Sequence, residues 1–246
     1  MKTTWLEGIV FDKDGTLTDY HATWSPLNEA AAHCAAHGDT EVAAHLLQIG
    51  GHDSDTGRVR GGSLLAAADT REIAEAWVAA GAAHDVGALE CAIDAIFEEG
   101  AARAVPVTDI DALFQRLRAR GLSLGVATSD SESAARATLR RLCVRPEELF
   151  VAGYDSGHGR KPSPGMVQAF CEAHDIAPAR VAVVGDNLHD IRMGRSAGCG
   201  LCIGVLTGAG AADELAAEAD HVIDSVAALE ALLEAKGVLR APVTRG

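Results

Sequence analysis

Asp12 and Asp14 stand two residues apart, directly after the apolar run Gly8-Ile9-Val10-Phe11 and just before Gly15. Two carboxylates delivered at a strand end, where open parallel sheets bind their ligands, are laid out for magnesium-dependent phosphoryl transfer. Gly15 permits the sharp turn the chain must make there. Three further segments offer reactive side chains. Leu122 to Ala127 runs into Thr128-Ser129-Asp130, Arg160-Lys161-Pro162-Ser163-Pro164 sets a lysine among turn residues, and Val181 to Val184 leads to Gly185-Asp186, with Asp190 farther on. Taken singly, each has an ordinary structural explanation as helix cap, solvated lysine or surface acid.

The elements that must position these residues follow from the hydrophobic pattern. Apolar runs at Gly8 to Phe11, Ser123 to Ala127, Leu149 to Ala152, Val181 to Val184, Leu201 to Val205 and His221 to Ile223 read as strands. Between them lie helical patterns at about Ile110 to Ala119, Glu132 to Leu142, Gly165 to His174, Leu188 to Ala197, Ala211 to Ala217 and Val226 to Ala235. Continuous apolar strands interleaved with helices indicate a parallel sheet covered on both faces, a doubly wound Rossmann-like α/β core. From Pro26 to Glu99 no strand is read, and the sequence is Ala-, Leu- and Glu-rich with helical periodicity, starting with a helix at Ser25-Pro26. The expected division is a core of residues 1–20 and 105–236, an α-helical insertion of 21–104, and a mobile tail of 237–246.

The string Asp12-Lys13-Asp14-Gly15-Thr16-Leu17 resembles the first motif of the haloacid dehalogenase superfamily, most of whose members are phosphatases. Thr128-Ser129, Lys161 in its Lys-Pro-Ser-Pro context, and Gly185-Asp186 with Asp190 resemble the second, third and fourth motifs, in the family's order. The resemblance runs from about Ile9 to Val226, and the insertion falls where the family carries a helical C1-type cap. It implies that Asp12 is a nucleophile forming an aspartyl-phosphate, and that Asp14 is the acid for the leaving oxygen and then the base for water. It implies Mg²⁺ held by the Asp12 carboxylate, the Asp14 backbone carbonyl and Asp186, with Asp190, one helical turn past Asp186, orienting a metal water. Thr128, Ser129 and Lys161 would bind phosphate oxygens.

Dehalogenating relatives lack a second aspartate at the position of Asp14, so its presence favours phosphate-ester chemistry. A phosphosugar mutase similar to β-phosphoglucomutase shares all four motifs and stays open, as does a non-catalytic binding protein of the same fold. Gly204 to Gly208 and Ala219 to Ile223 look like phosphoglycolate-phosphatase relatives, which makes 2-phosphoglycolate the candidate substrate. A small carboxylated substrate would want a cationic contact from the cap, for which His52, Arg58 and Arg60 in the Gly50 to Gly62 loop are candidates beside their reading as solvated loop charge.

With 21 basic and 35 acidic residues the formal charge is −14, which argues against nucleic acid or an anionic membrane as partner. A small phosphorylated metabolite would also be repelled, unless Mg²⁺ and a lysine invert the sign locally. No run reaches about 18 apolar residues, so the chain reads as a soluble cytoplasmic protein, monomeric or homodimeric. Among six cysteines, Cys199-Gly200-Leu201-Cys202 has redox or zinc spacing, but it leads into a strand and no second pair completes a zinc site.

Overall fold

The computed structural model describes residues 5–101 and 103–241. In chain order the elements are β1 (Gly8–Phe11), α1 (Tyr20–Ala35), α2 (Thr40–Ile49), β2 (His52–Asp53), β3 (Arg58–Val59), α3 (Leu64–Ala67), α4 (Thr70–Ala79), α5 (Val86–Ala101) and α6 (Ile110–Ala119). There follow β4 (Ser123–Ala127), α7 (Glu132–Arg141), β5 (Phe150–Ala152), α8 (Gly165–His174), β6 (Val181–Gly185), α9 (Leu188–Ala197), β7 (Leu201–Val205), α10 (Ala212–Glu218), β8 (His221–Ile223) and α11 (Leu229–Ala235). Two compact units result: Met1–Asp19 with Pro106–Gly208 and Ala212–Gly246, and Tyr20–Val105 with Ala209–Ala211.

The first unit holds a six-stranded sheet in the order β5-β4-β1-β6-β7-β8, every pairing parallel. Its strands are apolar throughout because both faces are covered. Ile9 and Phe11 join the cluster of Leu113, Phe114 and Leu117 from α6, whereas Val10 joins Phe170 and Val167 from α8, as the two-residue period of a strand requires. β1 is central, with β4 and β6 on either side, so the strand order reverses beside it and opens a crevice at the carboxyl ends of these three strands.

The second unit has its own core around Trp77, Leu46, Leu89 and Ile93, all fully buried, and the Trp77 indole N–H donates to Leu46 O at 3.0 Å. It departs from the sequence reading in two places. The helix expected from Ser25-Pro26 begins earlier, at Tyr20, with Pro26 inside it. Tyr20 and Thr23 are buried on the same face as Asn28 and Ala31, so packing extends the helix through a residue that donates no backbone hydrogen bond. A short hairpin, β2–β3, also occupies a stretch read as strand-free. Asp53 turns it by accepting the N–H groups of Asp55 (2.9 Å) and Thr56 (3.0 Å).

The tail expected over 237–246 is tied down through its first residues. Leu239 is buried in the sheet core, Leu6 N–H donates to Val238 O at 3.0 Å, and Arg240 pairs with Glu7 at 3.2 Å. Residues 242–246 lie outside the described part of the chain. Among the described residues no helix is long and apolar enough to cross a membrane.

Candidate active site

Asp12 extends the sheet by one hydrogen bond, its N–H donating to Val184 O at 2.8 Å, and the chain then coils tightly. The N–H groups of Leu17 (2.8 Å) and Thr18 (3.1 Å) both return to Lys13 O. Gly15 sits in this coil at φ +80°, and a Cβ there would lie 2.6 Å from Asp186 Cγ, so the position needs glycine for conformation and for space. Gly208, whose Cα would lie 2.7 Å from a Cβ on Gly15, also approaches the Asp186 carboxylate so closely that a Cβ of its own would overlap it, while the Thr207 hydroxyl donates to Gly15 O at 2.6 Å. The Asp186 carboxylate is thus packed against two adjoining glycines, and a Cβ at either would collide with it.

Asp12, Asp186 and Asp190 are 7%, 5% and 2% exposed, and each brings a carboxylate oxygen within 4.8 Å of the other two. Lys161, after β5, places Nζ 2.5 Å from Asp12 Oδ1 and 2.6 Å from Asp190 Oδ1. Three buried carboxylates gathered at this ammonium make an all-oxygen set that suits a hard divalent cation such as Mg²⁺. Burial pushes the Asp12 carboxyl up to about 6, against the pull of Lys161. Burial would lower the Lys161 ammonium, but Asp12 and Asp190 outweigh it and hold the group above its ordinary value.

Asp190 differs from its expected placement. Asp186 precedes the helix rather than sharing a face of it, because Asn187 is the N-cap of α9 and Asp190 its third residue. Asp190 Oδ2 accepts the Asn187 N–H at 3.1 Å, closing a capping box, while Oδ1 is free to grip Lys161. Asp190 therefore holds the lysine directly and joins the carboxylate cluster.

At the end of β4, Thr128 is buried and its N–H donates to Ala152 O at 2.9 Å. Its Oγ1 accepts the Asp130 N–H at 3.1 Å, which leaves the hydroxyl proton for an acceptor such as a phosphate oxygen. Ser129 beside it is exposed. Asp14 turns its side chain toward Lys13 and Thr18, whose hydroxyl donates to Asp14 Oδ1 at 3.2 Å. Burial raises the Asp14 carboxyl, the Lys13 charge opposing it.

Lys13 and Asp130, 2.9 Å apart, were not singled out from sequence, nor were Thr207 and Gly208 as neighbours of Asp186. The available signal was a lysine between two aspartates immediately after a wholly buried strand, where an ammonium must find acids. In the helical unit, His52 lies in β2 and Arg58 in β3, with Arg60 just beyond; both arginines are exposed, and His52 is half-buried with a buried Nε2 that meets no hydrogen-bond partner. Trp24 packs edge-on against Phe97, centroids 5.3 Å apart. Burial pushes the Cys202 thiol up to about 11 and raises Cys199 as well, which keeps both protonated and unreactive.

Residues 6–198 match a family model described as haloacid dehalogenase-like hydrolase. The chain is 32% identical over 118 residues to a phosphoglycolate phosphatase of Chromobacterium violaceum, a stretch covering 48% of this chain and 52% of that protein, about half of each. It is 28% identical over 199 residues to an N-acetylmuramic acid 6-phosphate phosphatase of Pseudomonas aeruginosa, with 80% and 81% covered. It is 29% identical over 234 residues to a tyrosine-protein kinase of Mycobacterium tuberculosis, with 94% and 72% covered. The solved structure of a predicted phosphoglycolate phosphatase from Haemophilus somnus superposes with a TM-score of 0.69 at 18% identity, covering 92% of this chain and 97% of that one, and carries the fold alone.

Proposed function

The chain belongs to the haloacid dehalogenase-like hydrolase family, and we propose that it is a phosphatase that hydrolyses a small phosphomonoester through an aspartyl-phosphate on Asp12. One observation carries the reading: Asp12, buried at the carboxyl end of the central strand, is bonded to Lys161 and grouped with two further buried carboxylates in an all-oxygen set suited to a divalent cation. Asp12, Asp186 and the Asp14 carbonyl would hold Mg²⁺, with Asp190 beside them. The ion would supply the positive charge that lets an anionic ester approach a carboxylate.

In the first half-reaction an Asp12 carboxylate oxygen forms a bond to phosphorus while the ester P–O bond breaks. Asp14 gives its proton to the departing oxygen, releasing the alcohol. In the second, Asp14 takes a proton from water as that oxygen bonds to phosphorus, the bond to Asp12 breaks, and inorganic phosphate leaves. Burial raises the Asp14 carboxyl against the opposing charge of Lys13, which favours the protonated form that an acid needs. Lys161 and the Thr128 hydroxyl, with Ser129 beside it, stabilise the charge that spreads over the transferring oxygens.

For the substrate we propose 2-phosphoglycolate, on the likeness to the phosphoglycolate phosphatase, with Arg58, Arg60 and His52 as the candidates to recognise its carboxylate. A second reading, phosphoryl transfer to a protein tyrosine, has in its favour an alignment over 94% of this chain. The deciding experiment measures phosphate release from a panel that includes 2-phosphoglycolate, phosphosugars and phosphotyrosyl peptide, with Mg²⁺ or EDTA, for wild type and Asp12→Asn. Mg²⁺-dependent release that vanishes in the variant supports the phosphatase. Release by Asp12→Asn at the wild-type rate would sink the mechanism, and isomerisation or transfer from ATP to peptide without net release would move the protein to a mutase or kinase role.

A further inference from the structure

Lys13 has 1% of its side chain exposed, and nothing in the reaction above makes use of it. A lysine so buried is retained only with acidic partners, since an unpaired interior ammonium costs several kcal/mol. Its Nζ pairs with Asp14 Oδ2 and, at 2.9 Å, with Asp130 Oδ2. The remaining Asp14 oxygen accepts the Thr18 hydroxyl at 3.2 Å, so both oxygens of that carboxylate are held.

Asp130 is itself anchored at both ends of its backbone. Its N–H donates to Thr128 Oγ1 at 3.1 Å, and its carbonyl accepts the Tyr154 N–H at 3.0 Å. The ammonium therefore ties the loop after β1 to the loop after β4, with Asp14 at the junction. Adjacent residues of an extended chain point to opposite sides, and Lys13 and Asp14 pair where the chain has left the extended form, in the coil closed by Leu17 and Thr18 on Lys13 O. A point charge on a four-carbon stem suits such a bridge better than a planar guanidinium.

We propose that Lys13, backed by Asp130, is a positioning residue that fixes the orientation of the Asp14 carboxyl for proton delivery to the leaving oxygen. The inference rests on Asp14 being the acid, and its test separates the two ideas. An alkyl phosphate releases an alkoxide that needs a proton, whereas p-nitrophenyl phosphate releases a phenolate that leaves unaided. For both esters kcat/KM, which reports the steps up to release of the alcohol and not the aspartyl-phosphate hydrolysis they share, is measured on the Mg²⁺-loaded full chain for wild type, Asp14→Asn, Lys13→Met and Asp130→Asn, with thermal unfolding of each.

Asp14→Asn is expected to lose on the order of 10²-fold or more on the alkyl ester and much less on the aryl ester. Lys13→Met reproduces that selectivity at about tenfold and Asp130→Asn at about threefold. An Asp14→Asn variant that is selective beside Lys13 and Asp130 variants that slow both substrates equally, or neither, overturns the positioning role and leaves Lys13 a structural counter-charge. A non-selective Asp14→Asn variant removes the acid and the inference together. Should Lys13→Met fail to fold, Asp130→Asn still decides, because it keeps the Lys13–Asp14 pair and alters a side chain that is 34% exposed.

Discussion

Lys161→Met removes the ammonium that bonds Asp12 at 2.5 Å and Asp190 at 2.6 Å while keeping an apolar stem of similar reach. Breaking a buried ion pair by deleting one partner costs roughly 3–5 kcal/mol, because the other charge stays behind. At this chain length each kcal/mol moves the melting midpoint by about 2–4 °C, so in EDTA near neutral pH the variant is expected to melt on the order of 6–20 °C lower. The deficit has a definite pH dependence. Burial already lifts Asp12 to about 6 with Lys161 pulling it down, so losing the lysine moves it higher still.

An acid whose folded pKa lies above its unfolded value of about 3.9 destabilises the fold as pH rises through that window, and the penalty is complete above the folded pKa. Acidification to about pH 5 protonates Asp12 and should shrink the gap between variant and wild type. At saturating Mg²⁺ and neutral pH the gap should shrink by the margin with which the variant, its carboxylates relieved of the competing ammonium, binds the ion more tightly, about 1.4 kcal/mol for each tenfold in dissociation constant. Circular-dichroism melts at both pH values, with EDTA or Mg²⁺, read all of this. Equal midpoints in EDTA at neutral pH, or a gap that widens on acidification, would refute the charge reasoning.

Four further substitutions test separate parts of the structure. Gly208→Ala drives a methyl into the Asp186 carboxylate, and the Mg²⁺ concentration for half-maximal activity is expected to rise roughly 10–100-fold in a metal titration. Asp220 accepts the Cys202 N–H at 2.7 Å and pairs with Arg195 at 2.8 Å; burial raises its carboxyl, but these partners outweigh it and hold the group below its ordinary value. Its contribution is complete above the unfolded pKa of about 3.9 and is lost as pH falls through the folded one, so Asp220→Asn, at a solvent-screened pair, should lower neutral stability by up to about 1 kcal/mol and flatten the acid limb of urea denaturation. Arg58→Ala and Arg60→Ala should raise KM for 2-phosphoglycolate more than for p-nitrophenyl phosphate, and equal changes for both would remove these arginines from substrate recognition.

Much of the core was legible because its signals are local. An apolar run of strand length followed by a turn residue says where a strand stops, and residues at that point face the crevice whatever the rest of the chain does. Asp12, Thr128 and Asp186 could therefore be placed at strand ends before their neighbours were known, and β1, β4, β7 and β8 take the boundaries their apolar runs set. The helical unit was less legible. Pro26 reads locally as a helix start, yet the buried face of Tyr20, Thr23, Asn28 and Ala31 outweighs one lost hydrogen bond, and the two-residue strands of β2–β3 are too short to show a period.

The sequence by itself determined the alternating α/β order, the strand-end acids and the glycine at the tight turn, since each depends on the chemistry of a few adjacent residues. Only the tertiary structure decided which charges meet. Lys161 and Asp12 are 149 positions apart, Lys161 and Asp190 are 29 apart, and Lys13 faces Asp130 across two strands. The strand order β4-β1-β6 brings them together, and no spacing along the chain encodes a pairing fixed by which strands lie side by side.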